Sequence, residues 1–289
     1  MVATTYTKIL VILGWILAFI LIFSLITFLL YLRPPKYSTP GNPSSYGLEY
    51  ESVSFKTRDG LTLKGWFIPS NYSNATIIIG HGFPFDKSNV LPVTKYLNKH
   101  YNLFYYDFRY FGESEGKITT IAHKEQQDLL DVISYLKNRK DVGNIGILGF
   151  SLSATTALLI NSQDVKAIVS DSAYASLPKA LERVYFIFPW IIKYPFIWTT
   201  ALYAKIFLGI NIYKISALEN VKTLETPILF IHGERDSQIP AQHSRLLHEN
   251  AKNSTLWIIE GADHGQSFTI NPSEYEKRTI EFFDKFLLK

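Results

Sequence analysis

Gly149-Phe150-Ser151-Leu152-Ser153-Ala154 is the stretch on which the fold turns. The apolar run 144–149 leads into it as a strand, and small and apolar residues leave it as a helix. A strand that passes into a helix through so tight a turn lifts the side chain at its apex clear of the sheet. The helix beginning beneath that side chain directs its leading NH groups toward any anion that develops there. Ser151 thus stands where a nucleophile would be placed, in the turn known as a nucleophile elbow. The usual form is G-x-S-x-G, and here Ser153 replaces the last glycine. Taken alone, the same pattern also describes a serine that merely caps a helix.

A serine hydroxyl needs a base to take its proton, and the base needs a carboxylate to orient it. Both occur downstream in loops that leave apolar runs. Asp236 lies in His232-Gly233-Glu234-Arg235-Asp236-Ser237-Gln238-Ile239-Pro240, and His264 in Glu260-Gly261-Ala262-Asp263-His264-Gly265. Asp171 in Ser170-Asp171-Ser172 is a second place for the acid, but it reads equally as a turn cap, so Asp236 is preferred. Upstream, Gly80-His81-Gly82-Phe83 follows another strand, and the Phe83 NH is expected to join the Leu152 NH as an oxyanion donor. His81 is expected to support that loop by hydrogen bonding, Asp263 to shape its own loop, and His232 to be structural. His100, His123, His243 and His248 have no ligand spacing, so no metal or cofactor is expected. Arg109 reads either as a partner for a carboxylate or as a solvent-facing side chain.

Outward from the elbow, runs at 50–56, 61–68, 76–79, 102–107, 144–149, 165–170, 227–232 and 254–259 read as strands. The first two bracket Arg58-Asp59-Gly60, a hairpin signal. Residues 125–137 place Leu129, Leu130, Ile133 and Leu136 at helical spacing, and 271–288 form a closing amphipathic helix. Such alternation implies a largely parallel sheet covered by helices on both faces. Ligands bind these sheets beyond the carboxyl ends of the strands, where Ser151, Asp236, His264 and Phe83 all fall.

Residues 9–32 carry no charge, and about 24 residues of helix reach roughly 36 Å, more than a hydrocarbon core of about 30 Å. This predicts an uncleaved, single-pass transmembrane anchor after a short tail, 1–8. A cleaved signal peptide is the rival, but its apolar region is shorter, and Tyr31-Leu32-Arg33-Pro34-Pro35 holds no small-residue cleavage pattern. Lys8 on one side and Arg33 and Lys36 on the other leave orientation nearly balanced. Sequons at Asn71, Asn74 and Asn253 tilt it slightly outward from the cytosol. Residues 33–47, rich in Pro, Ser, Tyr and Gly, read as an extended spacer that holds the following domain off the bilayer. A net charge of +4 without long basic runs gives no reason to expect a nucleic-acid partner, and the absence of cysteine excludes a disulfide framework, a thiolate metal site and a cysteine nucleophile.

The catalytic fold is expected in two parts, 48–177 and 216–289, around an aromatic insertion at 178–215. That insertion holds Tyr185, Phe186, Phe188, Trp190, Tyr194, Phe196, Trp198, Tyr203 and Phe207. A second span there would part Ser151 from Asp236 across the bilayer, so a helical cap is the expectation, either lining an acyl pocket, resting on the membrane interface, or simply packing as an ordinary cap.

Residues 48–289 resemble the α/β-hydrolase superfamily. Tyr106-Asp107-Phe108-Arg109-Tyr110-Phe111-Gly112-Glu113-Ser114-Glu115-Gly116 is similar to its D-x-R-G-x-G-x-S segment, with Tyr110 in place of a glycine. The order Ser, Asp, His belongs to the same superfamily. With its anchor the chain resembles single-pass membrane-anchored α/β-hydrolase-domain proteins, some of which are thioesterases or lipid hydrolases. Dehalogenases and epoxide hydrolases of this fold place an aspartate where Ser151 stands and are set aside. The resemblance implies a serine esterase or thioesterase acting on acyl or lipid-like substrates. A serine peptidase for small peptides, or a non-catalytic ligand-binding protein of the same fold, are the alternatives.

Overall fold

A computed structural model describes residues 2–288. The chain opens with α1 (Val2–Leu32) and continues into the hairpin β1 (Glu51–Lys56) and β2 (Thr62–Ile68). There follow β3 (Thr76–Gly80), α2 (Lys87–Thr94), β4 (Asn102–Tyr106), α3 (Glu125–Lys137), β5 (Ile145–Phe150), α4 (Leu152–Leu159) and β6 (Val165–Asp171). Next come α5 (Leu177–Val184), α6 (Trp190–Leu208) and α7 (Ala217–Val221). The chain closes with β7 (Ile228–Gly233), α8 (Gln242–Asn250), β8 (Ser254–Ile259), α9 (Ser267–Ile270) and α10 (Pro272–Leu287).

The strands form one sheet in the order β1-β2-β4-β3-β5-β6-β7-β8. Pairs β1·β2 and β2·β4 are antiparallel, and the other five are parallel. This is the largely parallel sheet expected from the alternation of runs, and it agrees with the α/β-hydrolase fold that the resemblance implies. Its central strands are apolar at nearly every position because both faces are covered. In β3, Ile78 faces the core shared with Leu129 and Ile133 of α3 and Leu158 of α4. Its neighbours Ile77 and Ile79 face the other core, with Leu91 of α2 and Phe283 of α10. Each such side chain, withdrawn from water, contributes about 1.5–3 kcal/mol. Strand order reverses at β3, with β4 on one side and β5 on the other, which opens a crevice at the carboxyl ends of β3 and β5.

Side chains from Thr5 to Leu17 on α1 are all exposed, whereas the second half of the helix is packed. Phe19 and Phe23 meet Phe196, and Phe28 meets Tyr203 and Phe207, so α1 and α6 run in the same direction. Two hydrogen bonds join them, from Thr199 Oγ1 to Ser24 Oγ at 2.7 Å and from Tyr203 Oη to the Leu21 carbonyl at 2.9 Å.

Residues 33–47 depart from the expected spacer: they lie along the domain. The Thr39 NH donates to Asp86 Oδ2 at 2.8 Å, Pro34 is buried, and Pro43 is buried at the start of a short 3-10 turn, Pro43–Tyr46. Tyr110, the departure from the family glycine, is part of the reason. Its φ of 75° is one that glycine adopts freely and tyrosine adopts at a cost. In return its hydroxyl donates to the Pro34 carbonyl at 2.5 Å, and Lys36 Nζ lies 5.0 Å above its ring. Arg109 is also resolved: its guanidinium binds Asp128 on α3 and Asp59 in the β1–β2 turn, and its side chain is buried.

Candidate active site

Ser151 joins β5 to α4 with φ 51° and ψ −103°, a left-handed backbone unusual for a residue with a Cβ. The surrounding structure enforces it. A Cβ on Gly149 would come within 2.6 Å of the Ala154 nitrogen, so α4 folds back directly over the end of β5. The Ser153 irregularity is explained by β3: a Cβ on Gly80 would lie 1.7 Å from Ser153 Oγ. The hydroxymethyl of Ser153 occupies the volume that the missing Gly80 side chain leaves open. The glycine has in effect moved from the elbow to the neighbouring strand, Gly80 being paired in register with Gly149.

His264, in the loop after β8, brings Nε2 to 3.1 Å from Ser151 Oγ and Nδ1 to 2.7 Å from Asp236 Oδ2. Asp236 follows β7 and is buried, and its Oδ1 accepts the NH groups of Gln238 at 2.9 Å and Ile239 at 2.7 Å. Burial opposes its ionisation, but hydrogen bonds from His232 and His264 outweigh that effect and hold the carboxyl well below the usual carboxylate range. Asp263 binds the Ser237 and His264 NH groups, each at 2.7 Å, and so ties the acid loop to the base loop. Asp171, the other candidate acid, is engaged elsewhere. Its carboxyl accepts from Ser172, Ser267 and Tyr275, and burial pushes its pKa up.

His232, expected to be structural, does more than pack. Its Nε2 donates to the Ile239 carbonyl at 2.7 Å and lies 3.2 Å from Asp236 Oδ2, while Nδ1 is bonded to Ser244 Oγ at 2.6 Å. It therefore braces the carboxylate from the side opposite His264. Its spacing from Asp236 is visible in the sequence, but a strand-end histidine gives no sign of which way it turns.

On the other side of Ser151, a Cβ on Gly82 would lie only 3.5 Å from Ser151 Cβ, so the Gly82–Phe83 backbone runs beside that side chain. His81 Nδ1 donates to the Gly82 carbonyl at 2.9 Å, and its Nε2 accepts the Phe108 NH at 3.1 Å. Complete burial lowers the pKa of His81, in keeping with a neutral ring that must accept at one nitrogen and donate at the other. Carbonyl and NH of a trans peptide point in opposite directions, so holding the Gly82 carbonyl directs the Phe83 NH away from His81. Leu152 opens α4, whose leading NH groups have no carbonyl within the helix to bind.

A cavity of about 400 Å³ stands before Ser151, lined among others by Leu152, Phe83, Val184, Ile239 and Tyr31. Of the nine aromatic residues of the insertion only Phe186 reaches it; Phe188, Phe196, Tyr203 and Phe207 pack against α1 instead. Helix α5, through Ala180, Arg183 and Val184, covers the cavity. Tyr31 was not singled out from the sequence, where it is one more aromatic in an apolar run. Its ring stacks on Phe83 at 5.6 Å and 8° between planes. Among the described residues no cluster of His, Asp or Glu has a geometry that holds a metal ion.

Comparison with known proteins gives a consistent set of matches. The profile of the X-Pro dipeptidyl-peptidase (S15) family matches residues 43–185, and that of the prolyl oligopeptidase family matches residues 118–289. The chain is 32% identical over 238 residues to the uncharacterized protein YqkD of Bacillus subtilis, covering 78% of this chain and 76% of that protein. It is 26% identical to an uncharacterized membrane protein of Saccharomyces cerevisiae, covering 75% of this chain and 74% of that one. Among solved structures, the esterase Pf2001 of Pyrococcus furiosus superposes with a TM-score of 0.72 and 27% identity, covering 88% of this chain and 99% of the esterase.

Proposed function

Because the chain belongs to the prolyl oligopeptidase family of α/β-hydrolase serine hydrolases, we propose that it is a membrane-anchored esterase or thioesterase for acyl or lipid-like substrates. The observation that carries this reading is the relay from Asp236 through His264 to Ser151, at 2.7 Å and 3.1 Å, opening on a cavity with a mainly apolar lining.

In this mechanism His264 Nε2 takes the proton of Ser151 Oγ as the oxygen attacks the acyl carbonyl carbon. The carbonyl oxygen gains the negative charge and is held by the NH groups of Phe83 and Leu152. Asp236 keeps the proton on His264 Nδ1 and stabilises the imidazolium, braced by His232. The tetrahedral adduct collapses, and His264 returns the proton to the leaving alcohol or thiol. Water activated by His264 then attacks the acyl-enzyme, releases the acid and restores Ser151. In this reading α1 anchors the enzyme in the bilayer, a role supported by its charge-free length and by the kinship with a yeast membrane protein.

A peptidase uses the same steps on an amide, and both family profiles are those of peptidases. The two readings part on substrate. Full-length protein should form a fluorophosphonate adduct at Ser151 that Ser151→Ala abolishes, and should cleave p-nitrophenyl esters faster than prolyl or acylaminoacyl p-nitroanilides. Faster anilide cleavage would establish the peptidase, and a folded protein without an adduct would leave a ligand-binding protein.

A further inference from the structure

Behind the Ser151 cavity lies a second chamber, of about 100 Å³, between α1 and the cap. Phe28 and Leu32 of α1, Leu181 of α5 and Ala204 of α6 are among its walls. Tyr31, Ile121, Ala180 and Val184 line both spaces, so they form the partition, and the Tyr31 ring resting on Phe83 stands at the passage. Two threonine hydroxyls in its wall are engaged within the protein. Thr120 Oγ1 donates to Glu125 Oε2 at 2.6 Å, and Thr200 Oγ1 is bonded to Tyr185 Oη at 2.6 Å. What remains is a largely apolar space, which holds water poorly.

Its position relative to a bilayer follows from the length of α1. The exposed part of the helix beyond Lys8, residues 9–17, gives about 9 residues, or roughly 13 Å, well short of a hydrocarbon core of about 30 Å. About 20 residues from Ile9 are needed, which reaches Phe28. The α5–α6 corner packs against α1 at Phe23, through Tyr185 and Phe188, and so falls inside that depth. The corner is dressed for it. Phe186, Ile187, Trp190, Ile191 and Ile192 are exposed there, Trp190 at 70%, and Lys193 just behind them is paired with Glu182 at 3.3 Å. Phe186 belongs both to this exposed corner and to the Ser151 cavity.

We propose that the α1–cap chamber is the binding site for one acyl chain of a lipid ester drawn from the bilayer, with the α5–α6 corner immersed beside α1 and Tyr31 at the passage to Ser151. The proposal rests on the esterase reading and extends it: the helix that anchors the enzyme also builds part of its substrate site. The reacting carbonyl sits at Ser151 while its chain passes Tyr31 into the chamber, an arrangement in which chain length, and not head group, governs affinity.

Covalent labelling of Ser151 by fluorophosphonates of increasing alkyl length, on full-length protein in phosphatidylcholine vesicles, tests this. Long alkyl probes should label at least tenfold faster than ethyl probes. Ala204→Leu, which fills the chamber from α6, should move the optimum to shorter chains, and Phe28→Ala, which enlarges it from α1, to longer ones. Trp190→Asp at the corner should lower the ratio of long-probe labelling in vesicles to that in detergent micelles. A length profile that neither chamber variant moves overturns the acyl site while the esterase reading stands. A vesicle-to-micelle ratio unchanged by Trp190→Asp overturns the bilayer as the source. Failure of every probe to label Ser151 in folded protein defeats the esterase reading, and the acyl site with it.

Discussion

Around Ser151 the side chains are held by directed bonds, whereas between α1 and α6 they are held almost wholly by the shape of rings. His264, Asp236, His232, His81 and Asp263 each make hydrogen bonds of 3.2 Å or less to a particular atom. Across the helix pair the equivalent list is two hydrogen bonds, with Phe19, Phe23, Phe28, Phe196, Tyr203 and Phe207 making up the rest. Directed bonds demand one residue type at one place, while ring packing accepts any apolar side chain of similar volume. The first region therefore announces itself as motifs, and the second only as composition.

The sharpest way to break this contrast is at Asp236. Asp236→Asn should lower kcat on p-nitrophenyl acetate by about 10⁴-fold, since the histidine loses its oriented tautomer. Asp171→Asn should lower it by less than about tenfold, because that carboxyl is bonded to Ser172, Ser267 and Tyr275 while His264 Nδ1 is bonded to Asp236. Equal losses in the two variants would mean that the acid had been assigned to the wrong strand end.

Steric demand gives the next largest effect. Gly80→Ala should destabilise the protein by about 3 kcal/mol, seen as a lower urea midpoint, since the added methyl would overlap Ser153 Oγ. Ser153→Gly should restore the midpoint in the double variant, which would return the elbow to its G-x-S-x-G form. No rescue would show that β3 and α4 are not coupled through that one volume.

A smaller effect lies where the two regions join. His243 on α8 accepts the Ala175 NH at 3.0 Å in the segment that leads into the cap, and burial, with His232 nearby, lowers its pKa from 6.5 to about 4. Between those values the unfolded chain binds a proton that the folded one does not, so stability falls as pH drops from about 6.5 toward about 4. The fall in thermal midpoint over that window should be shallower in His243→Gln than in the parent. Identical slopes would remove His243 from the account.

Least effect is expected in the helix pair. Phe23→Leu, despite touching Phe19, Tyr185, Phe188 and Phe196, should cost less than about 1.5 kcal/mol and leave turnover of short esters nearly as before. A loss as large as that of Gly80→Ala would show that the rings specify the active site after all.

The strands at 76–79, 144–149 and 227–232 could be read directly because a strand buried on both faces has no choice but to be apolar. The candidate elbow, acid loop and base loop were legible because glycine marks special backbone conformations, and serine, aspartate and histidine are residue types suited to proton transfer. Why Ser153 is tolerated was not legible, since the answer lies in Gly80, 73 positions earlier and adjacent only across a parallel sheet pair. Nor could the brace that His232 gives to Asp236 be read, because it depends on which way one imidazole turns. That residues 33–47 lie along the domain was not legible for a related reason: their partners, Tyr110 and Asp86, are remote in sequence, and a carbonyl accepting a tyrosine hydroxyl leaves no mark on composition. The aromatic insertion revealed its hydrophobicity but not its partner, and only the folded chain set those rings against α1. The sequence by itself determined the sheet and brought forward Ser151, Asp236 and His264 as candidates, because periodicity and special residue types are local. Tertiary structure alone decided that the first helix of the chain walls a space behind Ser151, because non-directional apolar contact between segments remote in sequence encodes no address.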